Sequence, residues 1–174
     1  MTNAETILAA LLLDDEGLLR ACEQQPYQGS GPGGQSRNRS YSALRLIHRE
    51  TGVQASAADH REGARNRAAA LERLRLELAL HWGRELLKLP PEERARASST
   101  ELPFRAGAAF SHPDFSRSVA RALGAFLCAD LQPAAAARAL GISVSALVRF
   151  FKRHKKVRDL IWSWRASAGL PALR

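Results

Sequence analysis

The stretch GSGPGGQSRNR, residues 29–39, has four glycines and one proline in its first six residues. Glycine opens backbone conformations that other residues cannot adopt, while Pro32 fixes φ on one side. Arg37 and Arg39 follow with Asn38 between them, and guanidinium groups suit phosphate oxygens. This composition predicts a loop whose tip approaches a nucleic acid closely. A flexible surface turn would show the same glycine content and is the alternative.

The residues on both sides of this loop predict a small sheet. Residues 23–28 suit a short edge strand, because Pro26 allows pairing on one side only. Residues 53–57 return after a turn at 49–52, which predicts a hairpin with the strand at residues 41–48. The middle strand alternates, with one face formed by Ala43, Arg45 and Ile47 and the other by Leu44, Leu46 and His48.

A long helix is predicted from about residue 62. Its apolar stripe consists of Ala68, Leu71, Leu74 and Leu78, and its positive charge comes from Arg65, Arg67, Arg73 and Arg75. Gly83 is a plausible end signal. A small sheet covered by this helix predicts the α+β fold class for this part of the chain.

The remaining residues predict further helices. Residues 3–13 and 16–22 suit two short acidic helices that pack on the domain following them, and their acidity argues against contact with RNA. Residues 86–112 have the composition of a linker with a brief helix at 91–97. The predicted organisation is an N-terminal helical segment at 1–22, a GGQ domain at 23–85, a linker at 86–112 and an all-α domain at 113–174.

A helix-turn-helix is predicted within residues 132–156. A small-residue helix at 134–140 is followed by a turn at Gly141 and a second helix capped by Ser143. The inward-facing residues of the predicted bundle are Phe115, Val119, Leu123, Phe126, Leu147, Phe150, Phe151, Val157, Leu160, Ile161 and Trp164. The spacing i, i+3, i+4, i+7 predicts one basic, RNA-binding face made of Arg149, Lys152, Arg153 and Lys156. A solvated charged face is the alternative.

Charge and cysteine content narrow the class of protein. The net charge of +9 and pI near 10.7 favour a polyanionic partner. Cys22 and Cys128 have apolar, helix-like surroundings and are predicted to be reduced core residues.

The five histidines are scattered singly, so we assign no metal site and no cofactor. The apolar run at 7–13 is too short to span a bilayer, and we expect a cytoplasmic protein without a membrane partner.

Residues 22–80 resemble the catalytic domain of class I peptide chain release factors and of the codon-independent ribosome-rescue hydrolases related to them. The resemblance rests on SGPGGQSRNRSYSALRLIHRETGV at 30–53 and DHREGARNRAAALERLRLELAL at 59–80. That family hydrolyses the ester joining a nascent peptide to the terminal adenosine of tRNA in the ribosomal peptidyl transferase centre. The partners implied by the resemblance are the ribosome, ribosomal RNA and peptidyl-tRNA.

The resemblance also implies roles for individual residues. The catalytic role falls on Gly33, Gly34 and Gln35. Contact with ribosomal RNA, or support of the loop, falls on Arg37, Asn38, Arg39, Arg61, Asn66 and Arg67. Ser36 departs from the family, which commonly has histidine at that position. In related factors the glutamine is N-methylated by a dedicated methyltransferase, so Gln35 is a candidate for modification.

The chemistry available to Gln35 is positional. No Ser-His-Asp arrangement is visible at recognisable spacing, and a glutamine amide neither gains nor loses a proton near neutral pH. The side-chain amide can orient a water molecule, and the backbone N–H of Gln35 can donate to the developing oxyanion. Gly33 and Gly34 would fix the backbone path and leave room for the end of the tRNA.

The length of the chain favours one kind of hydrolase. Stop-codon recognition requires additional domains, for which 174 residues leave no room, so we expect codon-independent hydrolysis by a monomer. The best-known rescue hydrolases end in a basic disordered tail, whereas residues 113–174 are apolar enough to fold. The chain more closely resembles short bacterial release-factor-like proteins with a helical C-terminal domain. Two alternatives stay open, a helix-turn-helix DNA-binding regulator and a ribosome-associated protein without turnover.

Overall fold

The computed structural model describes residues 2–27, 42–98, 102–112 and 114–173. The chain divides into two compact units, Met1–His81 and Trp82–Arg174. The first unit contains α1 (Asn3–Leu12), α2 (Asp15–Ala21), β1 (Cys22–Tyr27), β2 (Ala43–His48), β3 (Gln54–Ala57) and most of α3 (Gly63–Lys88). The second contains the end of α3 and α4 (Pro91–Ser98), α5 (Asp114–Cys128), α6 (Pro133–Ala139), α7 (Val144–Lys152) and α8 (Lys155–Ser167). The predicted boundaries at residues 22, 85 and 112 stay a prediction.

The strands of the first unit form an antiparallel sheet in the order β1-β2-β3. Tyr27 pairs with Ala43 at one end of the β1–β2 ladder and Cys22 with His48 at the other. Pro26 lies on the edge strand β1, as predicted, and β2 and β3 form the predicted hairpin. The predicted face of Leu44, Leu46 and His48 faces the core, because Leu46 and His48 are buried whereas Arg45 is exposed.

Helices that precede and follow the strands in the sequence complete the core of the first unit. Fully buried side chains come from α1, α2, β2 and α3, namely Ile7, Leu11, Leu18, Leu46, Leu74 and Leu78. α2 contacts β1 and β2, so the acidic N-terminal segment packs on the sheet as predicted. The nearly buried guanidinium of Arg75 on α3 forms an ion pair with α2, in which Arg75 Nη2 lies 2.8 Å from Asp15 Oδ1. The mixture of helices and sheet confirms the α+β fold class.

The sequence prediction for α3 was wrong at two positions. Ala68 is exposed rather than part of the apolar stripe, because the stripe runs through Ala70, Leu71, Leu74 and Leu78 instead. Gly83 does not end the helix, which continues to Lys88. A Cβ on Gly83 would lie 2.9 Å from Leu123 Cδ1 and 3.1 Å from Trp164 Cη2. This glycine therefore permits close packing in the second unit rather than termination.

The second unit contains the predicted helix-turn-helix. Ser143 caps α7, accepting a hydrogen bond from the N–H of Ala146 at 3.2 Å. The inward side chains of α5 and α7 are buried as predicted, whereas Leu160 of α8 is only half-buried. Cys128 is exposed, which contradicts its assignment to the core, while Cys22 is buried.

The described residues include no single helix that is both long and apolar enough to cross a membrane. The pair formed by α6 and α7, bent by 98°, satisfies the length and composition criteria only when the two helices are taken together.

Candidate functional site

The predicted catalytic residues lie in the connection between β1 and β2. Gly33, Gly34 and Gln35 belong to residues 28–41, here called the GGQ segment, which lies outside the described residues. Arg37, Asn38 and Arg39 lie in the same segment. The structure describes the residues that hold both of its ends, and these define the candidate site.

Strand pairing brings the two ends of the GGQ segment together. β1 ends at Tyr27 and β2 begins at Ala43, and these two residues are register partners in the antiparallel ladder. Paired residues in such a ladder have Cα atoms about 5 Å apart. The chain therefore leaves the sheet at Tyr27 and re-enters it at Ala43, and these two residues are at adjacent positions on a sheet that packs on a buried core.

Asn66 fixes the C-terminal end of the segment through its side-chain amide. Its Nδ2 donates to the carbonyl oxygen of Ser42 at 2.7 Å and to that of His60 at 2.8 Å, and its Oδ1 accepts from the N–H of His60 at 2.9 Å. The side chain is completely buried. This Asn66 network, consisting of Asn66, His60 and Ser42, joins α3 and the turn before it to the residue that follows the GGQ segment. The buried Asn66 side chain is therefore bonded to the residue that follows the GGQ segment, while its predicted contact with RNA stays a prediction.

The turn before α3 is also held by charged groups. Arg73 Nη2 lies 2.8 Å from Asp59 Oδ2, and Arg73 Nη1 donates to the carbonyl oxygen of Ser56 at 2.8 Å. Arg61 is exposed and follows directly after His60 of the Asn66 network. The site thus presents one guanidinium of the predicted RNA-binding set at a turn whose backbone is fixed on both sides.

Arg67 links α3 to the strand that enters the GGQ segment. Its Nη2 donates to Gln24 Oε1 on β1 at 2.7 Å, while the residue as a whole stays exposed. Arg67 is therefore placed near the segment's N-terminal strand, as Asn66 is near its C-terminal end. Asn66 thus bonds to the residue that follows the segment, whereas Arg67 bonds to the middle of β1.

The sequence prediction missed a contact at the base of the segment. The guanidinium carbon of Arg45 lies 5.8 Å from the centroid of the Tyr27 ring. Cations at such distances are attracted by the electron-rich ring face. Tyr27 and Arg45 lie diagonally on neighbouring strands, so the β1–β2 register could have indicated this pair, but the register was unknown from the sequence.

His48 lies at the opposite end of β2 from the GGQ segment and is not part of this site. Its ring is buried, and Nδ1 lies 2.9 Å from Thr51 Oγ1 in the β2–β3 turn. Burial lowers the pKa of His48 below its ordinary 6.5, and the nearby Glu50 carboxylate only partly opposes this. The imidazole thus links the end of β2 to the turn that follows it.

The predicted basic face of the second unit is divided between two helices. α7 ends at Lys152, and His154 adopts an extended conformation as the N-cap of α8, so Lys156 lies on α8. Arg153 Nη1 donates to the carbonyl oxygens of Ala106 and Ala108 at 2.8 and 3.0 Å. The prediction of one continuous helical face was therefore wrong, and only Arg149 and Lys152 of the set share the exposed side of α7.

Among the residues that the structure describes, no group of three or more histidine, cysteine or acidic side chains could hold a metal ion. What the described site offers is two paired strand ends, Tyr27 and Ala43, with the exposed guanidinium groups of Arg61 and Arg67 on neighbouring elements. Guanidinium groups bind phosphate oxygens at defined geometry. The arrangement suits the positioning of a backbone segment against RNA.

Comparison with known proteins identifies the family of this hairpin domain. The family model for the RF-1 domain matches residues 20–107, half of the chain. The chain therefore belongs to the RF-1 domain family, in agreement with the resemblance drawn from the GGQ motif and its surroundings. The match includes the GGQ segment, the Asn66 network and α3.

Curated relatives match over shorter stretches. Peptide chain release factor 1 of Bifidobacterium animalis subsp. lactis is 48% identical over 52 residues, covering 30% of this chain and 14% of that protein. Peptide chain release factor 1 of Amoebophilus asiaticus is 49% identical over 49 residues, covering 28% and 14%. Peptide chain release factor 2 of Pseudarthrobacter chlorophenolicus is 46% identical over 54 residues, covering 31% and 15%. The chain thus spans a small fraction of the length of these relatives. No solved structure matches the chain.

Proposed function

We propose that this protein releases peptides on the ribosome by hydrolysing the peptidyl-tRNA ester without reading a codon. The proposal rests on one observation above others. The GGQ sequence lies inside the RF-1 match, in the connection between two paired strands whose ends are held by Tyr27–Ala43 pairing and by Asn66. Such support suits a segment that must enter the peptidyl transferase centre with a defined backbone path.

The proposed chemistry needs no base or metal from the protein. The side-chain amide of Gln35 orients the attacking water, and its backbone N–H donates to the oxyanion as the ester carbonyl becomes tetrahedral. Gly33 and Gly34 allow the backbone path and the approach of the tRNA end. The water oxygen bonds to the carbonyl carbon and the ester bond to the adenosine oxygen breaks, while the proton that the water loses passes through RNA groups or solvent to that oxygen.

Positive side chains would hold the protein on RNA. The proposed contacts are Arg37, Asn38, Arg39, Arg61, Arg67, Arg149, Lys152, Arg153 and Lys156. Asn66 serves as a positioning residue through Ser42. Gln35 is the proposed site of N-methylation, which would add a glutamine N-methyltransferase to the ribosome, ribosomal RNA and peptidyl-tRNA as partners. We propose that the protein acts as a monomer in the cytoplasm.

Codon independence is proposed from the character of the second unit. Its exposed cations on α7 suit phosphate groups, and phosphate contacts position a protein without reading sequence. The protein would therefore recognise a ribosome with an unreleased peptide whatever codon that ribosome holds, which is the activity of a rescue hydrolase.

The test is release of labelled peptide from purified ribosomes that hold peptidyl-tRNA, with or without a stop codon. We expect equal rates on both complexes and a loss of at least about 100-fold in Gly34→Ala, because a side chain there obstructs the backbone path. Gln35→Ala should lose less, since the backbone N–H remains. Arg65→Ala is a matched control, because its exposed pair with Glu62 lies outside the proposed contacts.

Three outcomes would contradict the proposal in different ways. Release that occurs only with a stop codon would make the protein codon-specific. Ribosome binding without release would indicate an RF-1 domain that has lost turnover. Release that is unchanged in Gly34→Ala would remove the GGQ segment from the mechanism.

A further inference from the structure

The second unit contains a helix-turn-helix by geometry as well as by sequence. α6 and α7 are bent by 98° relative to each other, and four residues, from Leu140 to Ser143, join them. Gly141 has φ +67, a conformation that glycine adopts without strain. Two helices at about 90–120° joined by a three- to four-residue turn are typical of modules that place the second helix against a nucleic acid duplex.

The outward side of α7 has the chemistry of a phosphate-binding surface. Ser145, Arg149 and Lys152 follow each other at i, i+4 and i+7 and are all exposed. The opposite side is buried through Leu147, Phe150 and Phe151. The helix is therefore fixed by its apolar side, so that the polar stripe is held at a constant orientation.

The positive charge of this stripe is not neutralised within the described part of the chain. The sequence has no acidic residue between Asp130 and Asp159. Asp159 pairs with α8 cations instead, at 2.7 Å from Lys155 Nζ and 3.1 Å from Arg158 Nη2. Arg149 and Lys152 form no ion pair with the described residues and are thus available to an external anion.

The side chains at the start of α7 indicate which kind of duplex is bound. Ser143 uses its hydroxyl to cap the helix, and Val144 and Ser145 are short. Base edges in a DNA major groove are read by longer side chains, such as arginine and asparagine, near this end of the recognition helix. Short polar residues followed by two cations suit binding by backbone and shape, which is how RNA duplexes are recognised.

We propose that α6 and α7 dock on double-helical RNA, with Ser145, Arg149 and Lys152 of α7 against the phosphate backbone. The choice of RNA over DNA rests on the short side chains at the start of α7 and on the proposed function, because the substrate of a ribosomal hydrolase is surrounded by RNA helices. The docking itself rests on the geometry and charge of the second unit alone.

The experiment measures binding of the full chain to a labelled RNA duplex of about 16 base pairs, and to a DNA duplex of the same sequence, by fluorescence anisotropy over a range of salt. The test variant is Arg149→Gln with Lys152→Gln. The matched control is Lys155→Gln with Arg158→Gln, which removes the same charge from the same unit but from cations paired with Asp159. Glutamine preserves helix propensity, and circular dichroism verifies folding of both.

We expect the wild type to bind the RNA duplex more tightly than the DNA duplex. The test variant should lose about tenfold or more in affinity, and the slope of log affinity against log salt should fall by about two. The control should change by less than about threefold. Gly34→Ala should bind like the wild type.

Three results would overturn the proposal. No binding of the RNA duplex, or tighter binding of DNA, would exclude RNA docking. Equal losses in the test variant and the control would indicate a response to net charge without a surface on α7.

The failure of this proposal is distinguishable from the failure of the proposed function. Duplex binding with no peptide release from ribosomes would leave this proposal intact and contradict the proposed function alone. Normal release without duplex binding would contradict this proposal and leave the proposed function intact.

Discussion

Asn66 is completely buried and its side chain makes three hydrogen bonds. We therefore expect substitutions of Asn66 to disturb the position of the GGQ segment more than substitutions of the other supporting residues. Asn66→Ala leaves the His60 N–H and the carbonyls of His60 and Ser42 without their partner. We expect the free energy of unfolding to fall by about 2–3 kcal/mol. Peptide release at saturating ribosomes should fall by about 10–100-fold, because the segment is displaced. Urea unfolding and single-turnover release measure the two effects.

A second variant tests the two hydrogen bonds that the Asn66 amide donates. Asn66→Asp keeps an acceptor for the N–H of His60 but has no donor for the two carbonyls, so both effects should persist in part. Arg65→Ala, one residue earlier on α3, should stay within about 0.5 kcal/mol of the wild type, since its ion pair is exposed. Normal release by a folded Asn66→Ala protein would contradict a positioning role.

His48 makes stability depend on pH. Because burial lowers its pKa in the folded state below 6.5, the unfolded chain binds a proton at pH values where the folded chain does not. The stabilising contribution is complete above 6.5 and is lost as pH falls toward the folded-state pKa. When the pH falls from about 7.5 to about 5.5, we expect His48→Gln to lose less free energy of unfolding than the wild type loses.

Glu72 changes the pH dependence of stability in the opposite direction to His48. The wild type is therefore compared with His48→Gln at both pH values. Its pKa is raised by burial, which the Arg73 charge partly opposes, so its contribution grows as pH falls. This contribution is present in both proteins and cancels in the difference. An identical pH dependence in wild type and His48→Gln would show that His48 titrates alike in both states.

At the residue scale, sequence predicted the identity of the site better than its contacts. Asn66 was expected either on RNA or in support of the segment, and only the fold shows that it is buried and bonded to Ser42, 24 residues earlier. Polar residues buried by long-range hydrogen bonds have no periodic signal. The Arg45–Tyr27 contact was missed because it depends on the register between β1 and β2, which the sequence does not reveal.

At the element scale, α3 shows why a glycine in a helical pattern is ambiguous. Gly83 matched an end signal, yet its backbone stays helical and its missing side chain lets Leu123 and Trp164 approach. Gly83→Ala gains about 1 kcal/mol of helix propensity but forces a contact of 2.9 Å. We expect a net loss of about 1–2 kcal/mol in the free energy of unfolding, since overpacking costs more.

Gly63, on the same helix, is the matched control for Gly83. A Cβ there would meet nothing within 4 Å, so Gly63→Ala should be neutral or stabilise by up to about 1 kcal/mol. Urea denaturation of both variants gives the comparison. Equal or greater stability of Gly83→Ala would mean that Leu123 and Trp164 move aside at little cost and that the packing argument is wrong.

The strands and most helices were predictable because their local patterns agree with the fold. The alternation in residues 43–48 predicted a strand, and Pro26 predicted an edge strand. Ser143 before an apolar run predicted the start of a helix. The basic face failed because i, i+3, i+4, i+7 spacing assumes an unbroken helix. His154 leaves the helix, and its Nδ1 accepts the N–H of Lys156 at 3.3 Å to start α8. A capping histidine between Arg153 and Lys155 gave no signal in the charge pattern.

At the scale of the whole molecule, the two units should contribute different kinetic terms. Because phosphate contacts bind the ground state and the transition state alike, Arg149→Gln with Lys152→Gln should raise the ribosome concentration needed for half-maximal release by about tenfold and leave kcat unchanged. Gly34→Ala should lower kcat without changing that concentration, since it acts only at the reacting ester.

The salt dependence of release distinguishes this division from a general effect of charge. Raising salt should weaken ribosome engagement of the wild type more steeply than that of the Arg149→Gln, Lys152→Gln variant, since two fewer counterions are released on binding. The Lys155→Gln, Arg158→Gln control should change less than the α7 variant, because both cations are on α8, outside the α7 stripe, and share the Asp159 carboxylate. If the α7 variant instead lowers kcat at saturating ribosomes, the second unit takes part in the catalytic step, and the assignment of binding and chemistry to separate units fails.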